Sequence, residues 1–288
     1  MKEVSPGLQH RAEALAAPLP PLLVKAEQVA ATVAQGIHGR RRTGPGDSFW
    51  QFRRYQAGDP ATAIDWRQSA KSDPLYVRET EWAAAQSVWF WVDPSPSMRW
   101  RSQVGLVEKI DRANLLALAL ASLLLRGGER VGLIGDAVPP TSGRAALARL
   151  AATLISAAGD GRLPTQPLSR HSHLVLFSDF LMPLAELAAA VRRWAQADIR
   201  GHLVQVLDPA EESLPYDGRL RVCGLEGEGE LLLPRTEAVR DAYVERLVEH
   251  RAGLAATARA FGWTFSLHHT DRAPNATLLA LHSALDGH

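Results

Sequence analysis

An aspartate and two serines stand at alternate positions in Asp93-Pro94-Ser95-Pro96-Ser97, directly after the apolar run Val88-Trp89-Phe90-Trp91-Val92. The run is rich in β-branched and aromatic residues and reads as a buried strand that breaks off into a polar loop. A carboxylate and two hydroxyls spaced in this way can converge on one point. Such an all-oxygen set suits a hard divalent cation such as Mg²⁺, and Pro94 and Pro96 stiffen the turn by fixing φ. A second run, Leu174-Val175-Leu176-Phe177, ends in Ser178 and Asp179 with the same grammar. In doubly wound sheets ligands bind beyond the carboxyl ends of the strands, so two strands are expected to deliver carboxylates to one edge. Asp-x-Ser-x-Ser alone also serves as a helix N-cap, because Asp and Ser accept from free amides before a helix. The independent second acid at Asp179 tips the balance toward a cation site.

The elements that must position these residues follow from the pattern around them. Residues 104–126 carry Leu106, Ile110, Ala113, Leu116, Ala117 and Leu120 at helical spacing and stop at Gly127-Gly128. Strands are expected at 131–135, 173–178, 201–207 and 263–268, alternating with helices near 143–158, 183–197 and 236–261 and one from about 275. That alternation predicts an α/β fold, a doubly wound and mostly parallel sheet flanked by helices, over residues 84–288. Two short β-like runs, 219–223 and 230–233, predict a hairpin. Residues 1–35 read as an N-terminal helical appendage, with two short helices interrupted by Pro18, Pro20 and Pro21. Residues 36–83, broken by Gly and Pro and containing the strand 75–80, read as a small β-rich module.

Composition excludes several classes. Hydrophobic residues make up 46% and charged residues 22% of 288, ordinary soluble usage with no disorder signature. A net charge of +1 points to no polyanionic partner. The triplet Arg40-Arg41-Arg42 reads as a solvated basic turn, since no aromatic-interleaved basic stripe accompanies it, and no nucleic-acid partner is expected. Cys223 is the single cysteine, which excludes an internal disulfide and a thiolate zinc cluster and reads as a buried structural thiol in a reducing compartment. The N-terminus lacks a signal-peptide h-region, and the longest apolar run, 115–125, is too short to span a bilayer. A cytoplasmic protein is expected. His171, His173, His268 and His269 lack a zinc-ligand spacing, and adjacent strand residues such as His268 and His269 face opposite ways.

Asp93-x-Ser95-x-Ser97 followed by Met98, with Ser178-Asp179 ending a second strand, resembles the metal-ion-dependent adhesion site of von Willebrand factor A domains. That resemblance implies that Asp93, Ser95, Ser97 and Asp179 hold a divalent cation, Mg²⁺ or another such as Mn²⁺ or Ca²⁺, together with a threonine from a middle loop. Thr165 is the candidate for that threonine, with Thr141 and Ser142 as competing choices. Upstream, Phe52-Arg53-Arg54-Tyr55, Gly58-Asp59, Ile64-Asp65-Trp66, Ser69-Ala70-Lys71 and Leu75-Tyr76-Val77-Arg78-Glu79 are similar to the bacterial family known as domain of unknown function 58, in which this signature precedes a von Willebrand A-like domain. Arg54, Tyr55, Asp59, Asp65 and Trp66 read as a structural hydrogen-bond and stacking cluster around a tight turn.

Two functions follow as expectations. The first is a non-enzymatic, metal-dependent protein-interaction module, in which a partner's acidic side chain completes the coordination of the cation. The family resemblance implies a MoxR-type AAA+ ATPase as the partner and an adaptor role in chaperone-like assembly. The alternative is a Mg²⁺-dependent phosphohydrolase using Asp93 and Asp179. Against it, the chain has no Walker-type loop and no Gly-x-Ser-x-Gly elbow. An aspartyl phosphotransferase, moreover, usually has a second acid where this chain has Ser95.

Overall fold

A computed structural model describes residues 19–38, 49–55, 64–71, 74–80 and 85–286. In chain order the elements are α1 (Leu19–His38), β1 (Phe49–Arg54), the single turn α2 (Trp66–Ser69), β2 (Tyr76–Thr80), β3 (Ser87–Val92), α3 (Lys109–Arg126) and β4 (Arg130–Leu133). They continue with α4 (Arg144–Ser156), β5 (His173–Ser178), α5 (Leu184–Gln196), β6 (Arg200–Leu207), α6 (Pro209–Ser213), β7 (Leu220–Cys223), β8 (Glu230–Leu233), α7 (Glu237–Ala260), β9 (Thr264–His269) and α8 (Asn275–Asp286).

Five strands form a parallel sheet in the order β4-β3-β5-β6-β9. The expected α/β architecture is therefore what the chain adopts. From β3 the chain winds outward to β4 on one side, then returns to place β5, β6 and β9 on the other. The reversal lies between β3 and β5, where crossover loops diverge and leave a crevice at the strands' carboxyl ends. Asp93 and Asp179 follow these two strands.

Alternation along β3 explains why helices cover both faces. Val88, Phe90 and Val92 pack with α1, α3, α4 and α8, whereas Trp89 and Trp91 pack with α5 and α7. On the second face Trp194 and Trp263 stack with ring centroids 5.8 Å apart, and Trp263 Nε1 donates to Ile199 O at 3.1 Å. Gly201 makes room for this pair, because a Cβ there would lie 2.0 Å from the Trp263 ring.

Several expectations change. Residues 19–38 form one 20-residue helix, α1, with Pro20 and Pro21 in its first turn, where missing amide donors break no helical bond, so these two prolines do not divide it. It is not an appendage: Ala26 and Ala30 are fully buried in the same core as β3. Helix α3 starts at Lys109 rather than 104, since Glu108 is extended and Val104 is 90% exposed. Cys223 is exposed rather than buried, because the β7–β8 hairpin projects its residues into solvent. Trp66, at the start of α2 between β1 and β2, is 65% exposed, so it does not form a buried stack. Residues 1–18, Arg40-Arg41-Arg42, Gly58 and Asp59 lie outside the described residues. Among the described residues no helix is long and apolar enough to cross a membrane.

His268, on β9, is buried with Nδ1 2.9 Å from Thr277 Oγ1 on α8. Burial first, then Arg112 and His269, pull its pKa down from 6.5 to about 4. The unfolded chain therefore takes up this proton more readily than the folded one, so the stability present above pH 6.5 drains away as pH falls toward 4. Urea titrations should show this loss in wild type and a shallower one in His268→Gln. Gly201→Ala should lower stability by about 2 kcal/mol or more through overpacking against Trp263, read as a lower urea midpoint at unchanged slope.

Candidate cation site at the sheet switch point

β3 and β5 run side by side, and the ladder continues one residue past β3, where Asp93 N donates to Phe177 O at 2.9 Å. This fixes Asp93 at the edge with its side chain 85 residues away in sequence from the serine it meets. Ser178 Oγ donates to Asp93 Oδ2 at 2.6 Å, and Asp93 Oδ1 accepts from the Ser95 amide at 2.9 Å. Pro96 then starts a single 3₁₀ turn, Pro96–Arg99, which turns Ser97 back toward the sheet. Ser95 Oγ and Ser97 Oγ are 3.0 Å apart, and Ser97 Oγ donates to Asp179 Oδ2 at 3.0 Å. Four of the five expected ligands, Asp93, Ser95, Ser97 and Asp179, thus form one hydroxyl-bridged chain.

The turn after β5 holds Asp179 in place. Phe180 is fully buried at φ 51, a left-handed conformation unusual for a bulky residue. Its amide donates to Ser178 Oγ at 2.9 Å, its carbonyl lies 2.7 Å from His250 Nε2, and Gln205 Nε2 donates to Asp179 O at 2.8 Å. With the backbone held on both sides, the Asp179 carboxylate is directed at the crevice.

Thr165 does not join the group. It is exposed in the loop before β5, and among the described residues no hydrogen bond links it to the cluster. Gly161, four residues earlier, is the part of that loop that reaches the site. It has φ +73, and a Cβ there would lie 2.9 Å from both Asp93 Oδ1 and Ser95 Cβ. Backbone proximity, rather than a hydroxyl, is what this loop supplies. Of the competing choices, Thr141 has its hydroxyl engaged by Arg149 at 2.7 Å, and Ser142 is exposed.

Two charged residues that the sequence did not single out complete the cluster. Lys109, the first residue of α3, is 1% exposed; Nζ donates to Asp179 Oδ2 at 2.9 Å and to Glu211 Oε1 at 2.5 Å. Glu211 also accepts the Asp208 amide through Oε2 at 2.8 Å, while Asp208 Oδ1 accepts from Ala210 N, a reciprocal cap on α6. Asp208 is otherwise satisfied by the Ser102 amide at 2.9 Å and hydroxyl at 2.6 Å. Asp208-Pro209-Ala210-Glu211 is legible in sequence as a helix cap, but nothing in it points to Lys109.

Burial pushes the Asp93 carboxyl above its ordinary range, with the Asp179 charge adding to the effect and the Ser178 and Ser95 hydrogen bonds opposing it. Burial likewise raises Glu211 against the pull of Lys109. Burial disfavours the Lys109 charge, but Asp179 and Glu211 more than offset it and keep the ammonium protonated. Three carboxylates and one ammonium thus leave two negative charges when all are ionised. No group of three or more His, Cys, Asp or Glu side chains suited to a metal occurs among the described residues. A cation here would be held by the two aspartates and the hydroxyls of Ser95 and Ser97. Those all-oxygen donors fit Mg²⁺, Mn²⁺ or Ca²⁺ and suit a soft metal poorly.

The family described as "Protein of unknown function DUF58" matches residues 51–253. The chain is 29% identical over 275 residues to the uncharacterized protein Rv1480 of Mycobacterium tuberculosis and to the uncharacterized protein Mb1516 of Mycobacterium bovis, covering 90% of this chain and 86% of each relative. Among solved structures, it is similar to the conserved hypothetical protein BatB from Bacteroides thetaiotaomicron, with 15% identity, a TM-score of 0.41, and coverage of 71% of this chain and all of that one. An aerotolerance-related membrane protein from Bacteroides fragilis gives a TM-score of 0.40 at the same identity and coverage.

Gly161→Ala should cost about 1–3 kcal/mol from the positive φ and the contact with Asp93, whereas Thr165→Ala should leave the melting temperature within a degree of wild type. Differential scanning fluorimetry of the two variants checks both.

Proposed function

This chain belongs to the DUF58 family, and we propose that it is a non-enzymatic, cation-dependent protein-interaction module. In this reading Asp93, Ser95, Ser97 and Asp179 hold Mg²⁺ or a similar divalent ion, in the manner of the metal-ion-dependent adhesion site of von Willebrand A-like domains. One observation carries the reading: Asp93 and Asp179, buried carboxylates following the strands on either side of the switch point, meet the Ser178, Ser95 and Ser97 groups in one cluster, which with Glu211 and Lys109 has a net charge of minus two when all are ionised. Such a charge is costly to bury and is neutralised by one divalent ion.

When bound, the ion would supply a Lewis-acid centre able to take a partner's carboxylate. Ser178 fixes the Asp93 carboxylate, Gln205 and the Phe180 turn fix Asp179, and the hydroxyls of Ser95 and Ser97 can turn their protons outward to present lone pairs. Ser97 is only half-buried, so the cluster meets solvent there. The turn also carries the exposed Arg99, and Leu181, two residues past Asp179, is 51% exposed. The partner that the family resemblance implies is a MoxR-type AAA+ ATPase, for which the protein would act as an adaptor in chaperone-like assembly.

Isothermal titration with Mg²⁺ and Mn²⁺ should show one site in wild type, weakened at least tenfold in Asp93→Ala. Co-purification with the ATPase should be lost in EDTA and in Ser97→Ala. Equal binding to Asp93→Ala would remove the cation site from consideration. Phosphatase turnover that requires metal and disappears in Asp179→Ala would make the protein a hydrolase instead.

A further inference from the structure

The cation reading leaves one buried charge unexplained. Lys109 Nζ, 1% exposed, contacts the same Asp179 oxygen that Ser97 contacts, Oδ2, and it is the only ammonium in contact with that carboxylate among the described residues. A lysine added merely to stabilise a buried acid would need one partner. Lys109 has two, and the second, Glu211, is outside the proposed ligand set and anchored to the Asp208 amide at the start of α6.

We infer that Lys109 is a tethered, displaceable cation that sets the affinity of the site for divalent ions, with Glu211 as the carboxylate that retains the ammonium when Asp179 is given up. The inference rests on the cation reading above. Its physics is the competition of two positive charges for one carboxylate. An ammonium on Asp179 Oδ2 repels an incoming divalent ion and occupies a ligand oxygen, so it weakens binding. Glu211 relieves that competition, because the ammonium can keep a short charge-assisted hydrogen bond while releasing Asp179. The arrangement also keeps Asp179 from being a buried, unpaired anion before any ion arrives, a state that costs several kcal/mol in proteins.

It further ties the site to the rest of the molecule. The Glu211 carbonyl accepts from Tyr243 Oη on α7 at 2.6 Å, and its side chain closes the α6 cap. Transfer of the ammonium wholly onto Glu211 is therefore sensed by α6 and α7, elements outside the proposed ligand set.

Removing Lys109 and neutralising Glu211 are expected to shift Mn²⁺ affinity in opposite directions, and the double variant tests whether the Glu211 effect runs through Lys109. Manganese titration by calorimetry, with near-UV circular dichroism to verify folding, separates them. Lys109→Met should tighten Mn²⁺ binding at least tenfold, since it removes the competing charge. Glu211→Gln, which keeps an acceptor for the Asp208 amide, should weaken binding at least tenfold, since Lys109 then has only Asp179. Lys109→Met/Glu211→Gln should bind at least tenfold more tightly than Glu211→Gln alone. That comparison decides the matter even where Lys109→Met fails to fold. Detectable binding in the double variant but not in wild type also supports the inference. Wild type that binds Mn²⁺ while the double variant equals Glu211→Gln would overturn the role of Lys109 and leave the cation site standing. Absence of binding in wild type and every variant would overturn the cation reading, and this inference with it.

Discussion

The hydrogen bond from Ser178 to Asp93, 2.6 Å long and wholly buried, joins two strands that the chain visits 85 residues apart. Burying a carboxylate is expensive unless its oxygens are satisfied, and here both are: one by this hydroxyl and one by the Ser95 amide. Much of the surrounding structure follows from having accepted that cost at the seam of the sheet. The 3₁₀ turn after Pro96 exists to return Ser97 to Asp179. The left-handed Phe180 places Asp179 beside it, and Gly161 is required because no side chain fits between the loop and Asp93.

The sheet makes this seam available. In the order β4-β3-β5-β6-β9 the connections that leave β3 and β5 at their carboxyl ends run in opposite directions, β3 toward β4 and β5 toward β6, which opens a crevice between these two strands that the Gly161 loop lines. Apolar layers on both faces make the edge rigid. One layer, from α1, α3, α4 and α8, meets Phe90 and Phe177; the other, from α5 and α7, meets Trp91, Leu176 and the Trp194–Trp263 stack. Rigid strand ends matter for cation recognition, because donors must already converge if binding is not to spend its free energy on ordering them.

The same edge carries more charge than its two aspartates. Lys109 and Glu211 form, with Asp179, a buried ionic triad of the kind that is seldom the most stable solution available to a core, since apolar replacements of like volume are often as good or better. Its retention is more economically explained by what it does to the carboxylate than by stability. The position of Lys109 at the first turn of α3, where the helix dipole disfavours a cation, reinforces the point, for the lysine sits there against its local preference.

Sequence alone determined the alternation of strands and helices, the parallel character of the sheet, and the two strand-terminal acids, because each is written in local periodicity: continuous apolar runs for strands buried on both faces, helical spacing between them, and a polar break at the end. It also carried Asp93, Ser95, Ser97 and Asp179, whose types and spacing are local. Tertiary structure decided the rest. Whether Thr165 or Gly161 faces Asp93 depends on how one long loop crosses the edge, and no spacing rule encodes that path. The pairing of Lys109 with Asp179 and Glu211 spans 70 and 102 residues and arises only when α3 and α6 are packed against the same sheet. The fate of Pro20 and Pro21 turned on where α1 begins, and the burial of that helix on the small side chains it presents to the core. The acid and hydroxyls at the two strand ends are thus a local inheritance, while the buried ammonium that meets Asp179 is a product of the fold.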